Sequence, residues 1–145
     1  MSETLYNTQI LRLAASTADA VRLEAPQGSA MKVSPVCGST VTADIDLDAA
    51  GRIVRHGQAV RACALGQAAA ALVGADIIGK DSTALNAARA EIADWLAGRS
   101  EAVPGWPGMD VFAPARPHRA RHPSILLALD AAIAAAAAAM VRRAA

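Results

Sequence analysis

Aromatic side chains are scarce, with two Trp, one Tyr and one Phe among 145 residues. A packed interior must therefore come from Ala, Val, Ile and Leu, which supply most of a 54% hydrophobic share and give the chain enough apolar material to fold. Excess charge is also missing. The formal net charge is +1, so no field gathers nucleic acid or an anionic membrane, and neither is an expected partner. Cysteine appears twice, which excludes a disulfide framework. Those two cysteines, and a start at Met1-Ser2-Glu3 without a basic leader, read as a reducing, cytoplasmic setting. Long hydrophobic runs are few. The stretch Ala131–Ala139 is nearly all alanine and too short to span a bilayer, so it reads as part of a soluble helix.

The length suits one domain, 1–145, with a core of its own. Leu5, Ile10, Leu13 and Ala14 recur at helical spacing, which predicts a short amphipathic helix over 4–16. Pro26, Gly28 and Pro35 punctuate the next stretch, as suits short extended pieces and turns. Val41, Ala43, Ile45 and Leu47 then alternate with Thr42, Asp44, Asp46 and Asp48, the period of a half-buried strand. Asp48-Ala49-Ala50-Gly51 is a turn, and residues 53–60 return as the partner strand. From Cys63 the period becomes helical through Leu65, Ala69, Leu72 and Val73, ending near Gly74. Asp81-Ser82-Thr83 caps another helix, with Leu85, Ala88, Ile92 and Trp95/Leu96 inward and Gly98 as its stop. Residues 99–122 read as an irregular Pro-rich insertion, since five of the seven prolines fall between Pro104 and Pro123. Pro123 opens a last, Ala-rich helix roughly 30 Å long, with Leu126, Leu129, Ile133, Ala136 and Met140 on one face. That face is free to pack within the domain or against a second copy, which leaves a homo-oligomer open. The order of elements predicts an α+β fold.

Three near-motifs carry no chemistry. Gly74 to Lys80 has phosphate-loop spacing, but Asp81 stands where a Ser or Thr is needed and the segment follows a helix. Asp44, Asp46 and Asp48 imitate a calcium loop, yet Ala49 and Arg55 occupy its glycine and glutamate positions. Their alternation predicts the wet face of a strand. Arg116, Arg119 and Arg121 with His118 and His122 form a basic cluster that reads as a solvated loop or a meeting point for an acidic partner.

Cys37 precedes the strong strand in Pro35-Val36-Cys37-Gly38, and Cys63 stands where a strand gives way to a helix. A thiol at a helix N-terminus meets free N–H groups and the positive end of the dipole, which favours the thiolate that binds metal or accepts sulfur. The interval between the two cysteines matches no metal motif, so two inert core thiols are the plainer reading of spacing alone.

The ordered set of Leu5-Tyr6 in a first helix, Cys37-Gly38 before a strand, Cys63-Ala64 opening a helix, and His122 and Ser124 at the last helix resembles the NifU N-terminal/IscU/SufU scaffold family through nearly the whole chain. The resemblance implies a three-stranded antiparallel sheet packed by helices. It implies a transient iron–sulfur cluster, or zinc, held by three cysteines and an aspartate, with sulfur arriving from a cysteine desulfurase. Cys37 and Cys63 match the first two ligand cysteines. Ser39 stands at the aspartate position, Pro123 at the third cysteine, and His122 at the histidine that some members carry before it. The long gap from Cys63 to Pro123 is more like the SufU branch than the IscU branch. These departures leave Cys37, Cys63 and His122 as the metal-site residues, with His118, water or a partner's side chain available to complete the set.

Three functions follow from that resemblance. The first is a scaffold or sulfur acceptor holding iron, cluster or persulfide at Cys37 and Cys63, a carrier rather than a catalyst. The second is a degenerate homologue that binds assembly partners without cluster chemistry. The third is a zinc-dependent sulfurtransferase component.

Overall fold

The computed structural model describes residues 5–35 and 37–144, so Thr4 of the predicted first helix and Val36 lie outside the described residues. The strands are β1 (Gly28–Val33), β2 (Thr40–Leu47) and β3 (Ile53–Arg61), joined in the order β1-β2-β3 with both pairings antiparallel. The helices are α1 (Thr8–Ser16), α2 (Ala64–Asp76), α3 (Ser82–Leu96) and α4 (His122–Ala144). The architecture is the α+β one expected, with a three-stranded sheet and a long last helix.

Alternation sets which face of β2 meets the helices. Val41, Ala43, Ile45 and Leu47 are buried with Ile53 of β3 in a core shared with all four helices. Asp48 makes the hairpin turn, its Oδ1 accepting from the N–H groups of Ala50 and Arg52 at 2.9 Å each. Gly51 takes the left-handed conformation that the turn requires, at φ 84°. Capping is also as read: Asp81 Oδ1 accepts from Ala84 N–H at 2.8 Å to open α3, and Gly98 follows its end.

The alanine run has a physical use. α4 lies against β1 and β2, and a Cβ at Gly28 would fall on the backbone of Ala135 and Ala139. Strand and helix thus touch backbone to backbone, which only small side chains on both sides allow. By length and apolarity, the helical stretch Arg119–Arg143 could cross a membrane. Its length therefore does not settle the question, as the reading of Ala131–Ala139 alone had it. In the fold, 61% of its apolar window is buried, and it packs as a core helix. Both sides of it are covered, by the sheet and by α2 and α3, so Ile125, Leu127 and Ala128 are buried as well as Leu126, Leu129 and Ala136. Met140 is exposed, unlike the expected inward face, because at this point of α4 it is Ala139 that turns to β1 and is fully buried.

Three other expectations are corrected. Asp44 is not on a wet face. The segment leading into β1 crosses the outer side of the sheet, and Asp44 is fully buried under it, accepting from Arg22 (2.8 and 3.0 Å), Leu23 N–H (3.0 Å) and Ser29 Oγ (2.7 Å). Gly74 lies within α2 rather than at its end. It faces β3, where a Cβ would come 3.4 Å from Gln58 Nε2, and the turn comes later, at Gly79 (φ 91°). The Pro-rich insertion is irregular but packed. Short 3₁₀ turns at Met109–Ala115 and Arg119–Arg121 carry it, and it buries Trp106, Met109, Phe112 and Ala115. Arg116 of the basic cluster clamps this insertion down, donating to the carbonyls of Trp95 (2.7 Å) and Ser100 (3.1 Å) and pairing with Glu101 (3.0 Å).

Candidate functional site

The β1–β2 connection is a tight loop closed by Ser34 N–H to Ser39 O at 2.8 Å and Gly38 N–H to Ser34 O at 3.0 Å. Gly38 is left-handed at φ 71°. The loop lifts Cys37 into solvent at the end of the sheet. Its strand neighbour carries the second thiol: β3 ends at Arg61, and Cys63 is the N-cap residue of α2, with extended backbone and its carbonyl accepting from Gln67 N–H at 2.9 Å. Antiparallel pairing of Thr40 with Arg61 therefore brings both cysteines to one end of the fold. An open pocket of about 460 Å³ lies between them, lined by Cys37, Gly38, Ser39, Thr40, Arg61, Ala62 and Cys63.

Serines surround the Cys37 sulfur. Ser124 Oγ, in the first turn of α4, lies 3.2 Å away and Ser39 Oγ lies 2.9 Å away. Ser34 Oγ is buried with no bonded partner and acts on the sulfur at longer range. The hydroxyls of Ser124 first and then Ser39, followed by the more distant Ser34 hydroxyl and the Ser39 N–H, favour the anion over the small opposing effect of burial. The Cys37 thiol is lowered to about 6 and is mainly thiolate at neutral pH. Sequence reasoning had marked Ser39 and Ser124 only as positions of resemblance. Their role as donors to one sulfur depends on a contact between residues 87 positions apart.

His122 opens α4 beside Ser124 but does not line the pocket. It is buried, and its Nε2 lies 3.0 Å from Ala115 O and 3.1 Å from Arg116 O. Carbonyls only accept, so Nε2 carries the proton and the lone pair of the neutral ring is on Nδ1. His118 is exposed on the insertion. Among the described residues no three His, Cys, Asp or Glu side chains stand close enough to hold one metal ion. Two thiols, hydroxyls and the Arg61 guanidinium are what the pocket itself offers.

No protein-family model and no curated protein matches the chain. Solved structures do. The N-terminal part of a NifU-like protein from Brucella abortus superposes with a TM-score of 0.86 at 32% identity, covering 94% of this chain and 95% of that one. The chain belongs to the NifU/IscU/SufU-like family. A protein of Fervidobacterium islandicum AW-1, assigned as an iron–sulfur cluster assembly scaffold for the SUF system, shares the fold with a TM-score of 0.80 at 20% identity, over 91% of this chain and 96% of that one. Against the ligand set that the family resemblance implies, this NifU/IscU/SufU-like chain keeps Cys37 and Cys63 at one pocket. Ser39 lines the same pocket, and Pro123 stands in the first turn of α4.

Proposed function

We propose that this chain is a scaffold for iron–sulfur cluster assembly, and that Cys37 and Cys63 bind the cluster, its iron or its sulfur as cargo. The observation that carries the reading is the shared pocket: two cysteines from separate strand ends face one solvent-open cavity, and one of them is held as a thiolate by serine hydroxyls. Thiolate is the form that ligates iron or attacks a persulfide. A NifU-like protein at 32% identity over 94% of the chain, and a protein assigned as an iron–sulfur cluster assembly scaffold that shares the fold, support this reading.

In this reading a cysteine desulfurase supplies the sulfur, and a reducing compartment, the cytoplasm, keeps both thiols free. Cys37, the exposed anion, is the first acceptor: its sulfur attacks the outer sulfur of the donor's persulfide, and the donor's cysteine leaves as thiolate. His122 enters only through Nδ1, since Nε2 is held by two carbonyls. Resident zinc does not fit as well. A zinc site takes three or four protein ligands, and the described residues bring two sulfurs to the pocket.

Anaerobic reconstitution with ferric iron and sulfide, read by visible absorption and by iron and sulfide analysis, tests this. The parent chain is expected to develop the absorption of a cluster, and Cys37→Ala and Cys63→Ala to lose it. Equal, background-level iron in all three would overturn the reading.

A further inference from the structure

β1 ends on Met31-Lys32-Val33, three exposed residues in the order apolar, basic, apolar. The strand period sends Lys32 to the face of its buried partner Val41, on the α4 side, and Met31 and Val33 to the outer face, where they are 60% and 53% exposed. β1 is an edge strand, paired only with β2. Ser34 N–H turns inward to Ser39 O at 2.8 Å, so in an antiparallel ladder Lys32 and Ala30 bond β2, while the N–H and C=O groups of Met31 and Val33 point away from it. Among the described residues nothing bonds those outward groups. We infer that β1 takes up an extended peptide segment of a partner protein as a further strand, one whose side chains run apolar, acidic, apolar.

Charge and shape choose that occupant. Lys32 lines a groove of about 320 Å³ with Asn86 and Arg89 of α3 and Asp130, Ile133 and Ala137 of α4. Arg89 pairs with Asp130 through Nε at 2.9 Å, and among the described residues Lys32 makes no salt bridge. Two cations against one carboxylate leave the groove positive, with room in its charge balance for one more acid. A strand added to β1 alternates its side chains as β1 does. An acidic residue that meets Lys32 on the groove side therefore has its two neighbours on the outer face, over Met31 and Val33, where apolar side chains cover apolar surface. Backbone hydrogen bonds supply the attachment, and the alternate side chains supply the selectivity. A second copy of this chain is the poorer occupant: its own β1, Gly28–Val33, holds no acid and would bring another lysine to the groove.

The test is titration of the full, unloaded chain with two capped peptides, one with a valine–glutamate–valine core flanked by threonines, the other with lysine in place of the glutamate. Affinity and residue-resolved amide hydrogen exchange are read by NMR. The glutamate peptide is expected to slow exchange at the Met31 and Val33 amides several-fold and to bind several-fold more tightly than the lysine peptide. Lys32→Glu, at an exposed and unpaired position, should keep the fold and reverse that preference. Exchange at Met31 and Val33 that neither peptide slows would overturn the added strand. Equal affinity for the two peptides, or a preference that survives Lys32→Glu, would overturn the acidic partner. Cluster uptake plays no part in either result, so the scaffold reading stands or falls separately.

Discussion

The Cys37 sulfur and the Ser124 hydroxyl lie 3.2 Å apart although 87 positions separate them in sequence. The contact ties the β1–β2 loop to the first turn of α4, and it places the leading cause of the low Cys37 pKa on a helix that begins beyond the whole Pro-rich insertion.

The first prediction concerns that sulfur. Alkylation of the unloaded chain at Cys37 follows the thiolate, so its rate should fall as pH drops through about 6. An ordinary thiol would show the same fall near ~8.5. Ser124→Ala should move the Cys37 midpoint upward, because the largest hydroxyl contribution is gone. Rate–pH profiles with mass-spectrometric assignment of the alkylated residue decide it, and a parent midpoint above 8 would refute the serine cradle.

A second prediction concerns Asp44. Burial raises its pKa, but hydrogen bonds from Arg22, Ser29 and Leu23 N–H outweigh that and hold the carboxyl below the usual range. Asp44→Ala removes the acceptor of four hydrogen bonds, two of them from the Arg22 guanidinium, and should cost about 1–3 kcal/mol in denaturant unfolding at neutral pH. A depressed carboxylate pKa contributes stability above the unfolded value of about 4, and that contribution disappears as pH falls through the folded value. The gap between parent and variant should therefore narrow in acid. A gap that widened there would contradict the assignment.

A third follows from the contact of β1 with α4. Gly28→Ala forces a Cβ onto the Ala135 and Ala139 backbone, where no side-chain rotation relieves it. The expected loss is about 1–3 kcal/mol, the usual range for overpacking. Gly38→Ala meets no atom within 4 Å, so any effect there comes from its positive φ alone. Equal melting temperatures for parent and Gly28→Ala would show that strand and helix stand further apart.

The fourth concerns the insertion. Trp106 is buried and its Nε1–H donates to Leu72 O at 2.9 Å, which pins the insertion to α2. Trp106→Ala should destabilise by about 3–5 kcal/mol. Limited proteolysis should then cut first between residues 99 and 122. Cleavage elsewhere, with that segment intact, would show that Trp106 is not its anchor.

What the sequence made legible was whatever repeats with a period or carries local chemistry. The alternation from Val41 to Leu47, the Asp48–Gly51 turn and the Asp81 cap are local patterns, and each appears in the structure where it was read. Cys63 at the head of α2 belongs with them. Asp44 was misplaced because its cover, the stretch around Leu23, has no period of its own, and alternation alone cannot tell water from an irregular lid. The insertion hid its packing for the same reason: Trp106, Met109 and Phe112 follow no helical or strand spacing, yet all three are buried. At the site, the two cysteines could be singled out by their neighbours in sequence. The serines around Cys37 could not be assigned a role, because Ser124 reaches it only through the docking of α4 against β1 and β2.

The most direct test of the central claim, that Cys37 and Cys63 together bind the cargo, is a single-sample footprint of both cysteines. The chain is alkylated before and after anaerobic reconstitution with iron and sulfide, and each cysteine's modification is counted by mass spectrometry. The account predicts that both react in the unloaded chain and both are protected in the loaded one. Iron-loaded chain in which Cys37 and Cys63 still react at their unloaded rates would contradict it.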